Sequence, residues 1–216
     1  EIFGHAVASA GDVNGDGYAD VIVGADAYNG YTGRACVYYG SADGPATSAS
    51  WTGTGESADD YFGVSVACAG DVNGDGYSDV VIGANGCSAF AGRTYVYHGS
   101  SDGLSDSAAW TDDGPAANSK FGTSVASGGD VNGDGYSDVI VGAFQYTSYT
   151  GRAYIYHGSS TGLETDASWT KNGEGTNNYY GYAVASAGDV NGDGYSDVIV
   201  GAYAYSSSAG RVYVYH

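Results

Sequence analysis

The chain of 216 residues carries 25 Asp and Glu against six Lys and Arg, a formal charge of −19, which excludes nucleic acid and anionic membranes as partners by repulsion. Its 43% apolar content with 14% aromatics excludes a disordered acidic tail, and no apolar run approaches the ~20 residues that a membrane-spanning helix needs. With 38 Gly, 22 Tyr, two Pro and no Met, and no visible leader, it reads as a processed or excised chain of many short strands joined by tight turns.

In chain order, the first predicted strand is Phe3-Gly4-His5-Ala6-Val7-Ala8. An acidic loop follows, and then Asp20-Val21-Ile22-Val23-Gly24-Ala25, a continuous apolar run expected of a strand covered on both faces. A loop of variable sequence leads to the third strand, seen in its second copy as Arg93-Thr94-Tyr95-Val96-Tyr97-His98. A Gly-Ser turn then leads to a short fourth strand bearing Trp51. The acidic string begins again at Asp71, Asp130 and Asp189, each 59 residues after the last, and Arg34, Arg93, Arg152 and Arg211 keep the same interval. One unit is therefore used four times, over 1–59, 60–118, 119–177 and 178–216.

Four antiparallel strands per unit, repeated about an axis, form the blade of a β-propeller. The chain is thus expected to be all-β, residues 1–216 forming one propeller or half-propeller domain. Four full units would take 236 residues, so the last blade is expected to lack its outer strand and to expose an edge at 212–215. Self-association is the natural relief, with two chains building an eight-bladed ring. A lone four-bladed ring is the competing arrangement.

The repeated loop carries the chemistry. In its first copy, oxygen side chains stand at positions one, three, five and nine (Asp12, Asn14, Asp16 and Asp20), and Tyr18 at position seven offers its carbonyl. Ca²⁺ takes six to eight hard oxygen ligands at about 2.3–2.6 Å, and Gly17 at position six permits the sharp bend. The same set recurs as Asp71, Asn73, Asp75, Tyr77 and Asp79; as Asp130, Asn132, Asp134, Tyr136 and Asp138; and as Asp189, Asn191, Asp193, Tyr195 and Asp197. About four Ca²⁺ per chain are expected, bringing the charge to about −11. Position 12, where an EF-hand has its bidentate Glu, is Val23, Ile82, Val141 or Val200, and a strand rather than a helix follows. The rival reading is an acidic turn that holds no metal, since Asp, Asn and Gly favour turns in any case.

Cys36, Cys68 and Cys87 occupy three different places in the repeat, which fits small, half-buried residues rather than a disulfide framework. Each repeated Arg is expected to pair with a carboxylate of its own or a neighbouring blade. His98, His157 and His216 read as structural, and Tyr97, Tyr156 and Tyr215 as core.

These features together resemble the FG-GAP repeat of integrin α-subunit propellers and their bacterial and fungal relatives. The FG pairs are Phe3-Gly4, Phe62-Gly63 and Phe121-Gly122, with Tyr180-Gly181 as a variant. The GA pairs are Gly24-Ala25, Gly83-Ala84, Gly142-Ala143 and Gly201-Ala202, while the family's Pro is replaced by Asp26, Asn85, Phe144 and Tyr203. The resemblance implies a propeller with Ca²⁺ in the loops between first and second strands, working outside the cytosol at the cell surface or as a secreted protein. It also implies that ligands meet the opposite face, where Tyr28, Tyr31, Phe90, Tyr146, Tyr149, Tyr203 and Tyr205 stand. The competing role for these rings is packing between blades.

Three functions follow as expectations. One is a protein-binding adhesion module. Another is a lectin, since Tyr and Trp stack on pyranose rings. The third is a duplicated or engineered symmetric scaffold with no ligand of its own. An enzyme is not expected, because no asymmetric cluster of nucleophile, base and stabiliser escapes the repeat.

Overall fold

The computed structural model describes residues 2–216. Strands β1 (Ala6–Gly11), β2 (Asp20–Ala25), β3 (Arg34–Tyr38) and β4 (Trp51–Thr54) pair in that order. The pattern returns as β5 (Phe62–Gly70), β6 (Asp79–Ala84), β7 (Arg93–Tyr97) and β8 (Trp110–Asp113), then as β9 (Phe121–Gly129), β10 (Asp138–Ala143), β11 (Arg152–Tyr156) and β12 (Trp169–Asn172). The fourth sheet has three strands, β13 (Tyr180–Gly188), β14 (Asp197–Ala202) and β15 (Arg211–Tyr215). Within each sheet the pairing is antiparallel between chain neighbours, as expected of propeller blades. The second strand is the buried one: all six residues of β6 and of β10 are buried, because sheets cover both of their faces.

The apolar core lies between sheets rather than inside any one of them. Phe62, Val66, Ile82 and Tyr95 of the second sheet pack with Val37 and Trp51 of the first, and two further clusters repeat this between the second and third and the third and fourth sheets. Trp51 lies edge-on to Tyr97 with ring centroids 4.8 Å apart, and its Nε1–H donates to the Ser105 carbonyl at 3.1 Å. Trp110 does the same to Tyr156 and the Glu164 carbonyl. Strands β4 and β8 thus tie their blades to the next, satisfying the indole donor where burial would otherwise penalise it, and Trp169 of β12 lies edge-on to Tyr215.

Close backbone approach at the inner end explains the FG and GA dipeptides. A Cβ on Gly24 would overlap the Gly63 carbonyl oxygen, and Gly83 meets Gly122 and Gly142 meets Gly181 in the same way. Side chains are excluded there because two backbones touch.

The inner strands β1, β5, β9 and β13 pack against one another in that sequence, and β1 with β13 is not among the packed pairs. Among the described residues the blades therefore form an open arc rather than the four-bladed ring weighed from the sequence. Two other details differ from the sequence reading. Phe3 and Gly4 lie outside β1, whereas Phe62 opens β5 through a parallel bridge to Gly33 of the preceding blade. Tyr215 is only half-buried, while Tyr97 and Tyr156 are core; no outer strand covers β15 among the described residues.

Candidate metal centre

The four acidic loops curl in the same way. In the first, both oxygens of Asp12 are held by the backbone: Oδ1 accepts from the N–H groups of Gly15 and Asp16, and Oδ2 from that of Gly17 at 2.8 Å. The Asp16 N–H also reaches Asn14 Oδ1, and the Tyr18 N–H donates to Asp16 Oδ1 at 2.9 Å. Asn14 Nδ2 bridges to Asp16 Oδ2 at 3.0 Å. Glycine is needed at Gly15 and Gly17 because both turn through the left-handed region, at φ +73° and +89°. The loops beginning at Asp71, Asp130 and Asp189 repeat these bonds.

Position nine behaves differently. Asp20 is buried, its Oδ2 accepting from Val13 N–H at 2.9 Å and its Oδ1 from Gly40 N–H at 2.8 Å. It therefore braces its own loop against the turn that follows the third strand. Asp79 joins Val72 to Gly99, and Asp138 joins Val131 to Gly158. Asp197 accepts from Val190 N–H, but its second oxygen faces His216 Nδ1 at 3.1 Å. Burial pushes the carboxyls of Asp20 and Asp138 above their usual range and that of Asp79 up to about 7, opposed by the two backbone donors and reinforced by the acids of the same loop. Asp189, out in solvent, is instead lowered, chiefly by the Gly194 N–H.

Each loop gathers the residues of positions one, three and five on its exposed rim, while position nine turns inward. Among the described residues no three His, Cys, Asp or Glu side chains converge into a ready-made cluster. The donor set nevertheless suits a hard dication: every candidate ligand is oxygen, three carry charge, and the like-charged carboxylates of Asp12 and Asp16 are felt at Asp20.

One contact escaped the sequence. The Ser78 N–H donates to the Asp12 carbonyl, the Asp12 N–H reaches Ser78 Oγ, and the Tyr77 ring covers Gly15. The second, third and fourth loops are thus each seated on the preceding one, and Tyr77, Tyr136 and Tyr195 at position seven are also interblade contacts. The only available signal was the recurrence of that Tyr in all four loops.

The turns after the third strands share the face of the acidic loops. The connections from second to third strands lie at the other end, beside the interblade linkers. There the expected irregular loop is a four-residue helical turn, as at Tyr28–Tyr31, with left-handed residues inside. Tyr31, Phe90 and Tyr149 themselves sit at φ of about +60° (60°, 62° and 59°), a conformation costly for aromatic residues. The next linker pins it: Tyr61 N–H donates to the Tyr31 carbonyl, Lys120 N–H to that of Phe90 and Tyr179 N–H to that of Tyr149.

The seven rings named for this face fall into two groups. Tyr28, Tyr146 and Tyr205 are half-buried under the guanidinium groups of Arg34, Arg152 and Arg211, at 4.3, 4.0 and 3.8 Å. Tyr31, Phe90, Tyr149 and Tyr203 remain exposed, leaning on Tyr61, Lys120 and Tyr179. Of the repeated arginines, Arg93 pairs with Asp113 of its own blade and Glu56 before it, and Arg211 pairs with Glu174. The three cysteines are free thiols, Cys36 and Cys87 buried and Cys68 partly so.

A family model described as the FG-GAP repeat matches residues 3–38, 62–97, 121–156 and 180–215. Among curated proteins, the chain is 35% identical to integrin alpha-6 of Gallus gallus over 167 residues, covering 73% of this chain and 15% of that protein. It is 32% identical to integrin alpha-V of Gallus gallus over 218 residues and 30% identical to integrin alpha-5 of Xenopus laevis over 219, each covering 95% of this chain and 20% of the relative. The chain thus spans a fifth or less of the length of these relatives. Among solved structures, the Bacillus licheniformis rhamnogalacturonan lyase PL11 aligns at a TM-score of 0.55 and 17% identity, over 88% of this chain and 38% of that one. That likeness concerns the fold alone.

Proposed function

The chain belongs to the FG-GAP repeat family, and from that premise we propose that it is a calcium-dependent, non-catalytic binding module of the integrin-like kind, working outside the cell. The carrying observation is the fourfold loop: one set of oxygen donors, curled the same way around its first Asp in every blade. Asp12, Asn14, Asp16, Asp20 and the Tyr18 carbonyl, with their counterparts, would hold the ion. Bound Ca²⁺ would supply charge neutralisation, relieving the repulsion among three carboxylates. Asp12 and Asp16 organise the rim, and Asp20 anchors it to the blade.

In this reading the ion stiffens each blade and the ligand meets the opposite face. The exposed rings of Tyr31, Phe90, Tyr149 and Tyr203 form the contact surface there. Rigid aromatic residues provide contact area at low entropic cost, and a protein ligand is the first choice. The same exposed rings favour a second reading, a glycan stacked on them, which a glycan array read in the presence of Ca²⁺ distinguishes.

The calcium reading predicts a thermal shift. A site held at 100 times its dissociation constant adds about 2.7 kcal/mol. For a chain of this size that raises the melting temperature by about 5–10 °C. Melting with Ca²⁺ and with excess chelator should differ by at least this much, with little response to Mg²⁺. Coincident melts would remove calcium from the account.

A further inference from the structure

The repeated Arg at the head of the third strand keeps its place, but its partners change between the second, third and fourth blades. In the second blade, Glu56 of the preceding linker sits beside Arg93. One of its carboxylate oxygens, Oε1, accepts from Arg93 Nη1 at 2.9 Å and from the Tyr95 hydroxyl at 3.1 Å. Asp113 takes Arg93 Nε at 2.6 Å. In the fourth blade, Glu174 stands 37 residues before Arg211, as Glu56 does before Arg93, and accepts from its Nη1 at 3.0 Å.

The third blade has the cation without the anion. The residue 37 places before Arg152 is Pro115, whose side chain carries no acceptor. Opposite Arg152 on the fourth strand, where Arg93 has Asp113, stands the neutral Asn172, whose Oδ1 accepts from Arg152 Nε. Among the described residues Arg152 makes no ion pair, in a chain of net charge −19. Asp112, on the preceding blade, is engaged by the Tyr156 hydroxyl at 2.6 Å instead.

The phenol beside it is orphaned as well. Tyr154 is the counterpart of Tyr95, is 6% exposed, and its buried hydroxyl finds no acceptor among the described residues. Burial pushes this phenol up to about 12, so it keeps its proton and remains a donor. A buried donor without an acceptor carries a penalty that a bound acceptor would remove. Stacking holds the guanidinium in position, 4.0 Å from the Tyr146 ring and 5.8 Å from that of Tyr154. A guanidinium fixed in this way presents its donors in one plane, which matches a carboxylate. The exposed Tyr149 ends the same helical turn as Tyr146.

We propose that Arg152 and Tyr154 form a seat for the carboxylate of a Glu side chain presented by a protein ligand. Glu56 shows the fit, since one of its oxygens makes both bonds in the second blade. The seat lies between the second and third blades and rests on the binding role proposed above, with ligands on the face opposite the acidic loops. It needs no ion of its own.

The test is an NMR titration of the isotope-labelled 216-residue chain in Ca²⁺, following the arginine Nε–H signals. The probe is the blocked peptide acetyl-Gly-Glu-Ser-amide, which copies residues 55–57. The Arg152 signal should move and saturate in the millimolar range, while those of Arg93 and Arg211, already paired, stay in place. The same peptide with Gln for Glu should move none of them. Arg152→Gln should remove binding, and Tyr154→Phe should weaken it about threefold or more. Pro115→Glu should supply the carboxylate from within, melting about 1–4 °C higher and no longer responding to the peptide. An Arg152 signal that never moves, equal responses to the Glu and Gln peptides, or binding that survives Arg152→Gln would overturn the seat and leave the calcium-dependent melt standing. Shifts confined to the acidic loops would overturn the seat and the choice of face together. Galacturonic acid bound at Arg152 much more tightly than the peptide would overturn the protein side chain in favour of an acidic sugar.

Discussion

Gly142→Ala is expected to destabilise the chain by about 3 kcal/mol, lowering its melting temperature by about 6–12 °C, while Gly201→Ala leaves the melting temperature unchanged. The two glycines occupy the same place in their repeats and differ only in what faces them. A methyl group on Gly142 would overlap the carbonyl oxygen of Gly181, which is backbone and cannot swing aside. Relief requires β10 and β13 to move apart, opening the cluster that buries Tyr180, Val184 and Val200. Backbone conformation contributes nothing to the difference, since neither glycine has a positive φ. Thermal denaturation of the two variants measures the effect. Equal losses would mean that blade-to-blade packing is not what selects glycine here.

The second large effect belongs to Asp79. Its carboxylate is the shared acceptor for the buried N–H groups of Val72 and Gly99, 2.8 and 2.9 Å away. Asp79→Ala leaves both donors without a partner, and each buried unsatisfied donor costs about 1–3 kcal/mol. The expected loss is about 2–5 kcal/mol, measured in excess chelator so that no ion contributes. Asp197→Ala provides the contrast: among the described residues one backbone donor, Val190 N–H, depends on it, and about half the loss is expected. Equal losses at the two sites would show that the bracing of the following turn adds nothing.

Much of this was legible in the sequence because the chain repeats itself. The 59-residue interval set the unit, and the apolar run of Asp20–Ala25 marked the covered strand. Position nine of the loop was read from the sequence as a metal ligand, and its bracing role was not legible there. Its bond to Gly40, 20 residues on, depends on where the third strand delivers the following turn. The helical turns at Tyr28–Tyr31 and its counterparts ran against local preference: a bulky residue does not choose a left-handed backbone, and backbone donors from the next linker hold it there. Phe3 shows the same dependence. Its sequence context matches that of Phe62, but a strand opens at Phe62 because Gly33 of the preceding blade bridges to it.

The four loops are proposed as calcium sites, and counting bound ions tests this most directly. Equilibrium dialysis of the chelator-stripped chain against Ca²⁺ should give about four ions per chain, one for each Asp-Val-Asn-Gly-Asp-Gly-Tyr loop. Asp71→Ala combined with Asn73→Ala and Asp75→Ala should reduce that count by one. A chain that binds no Ca²⁺, or a count unaltered by the triple substitution, would contradict the account.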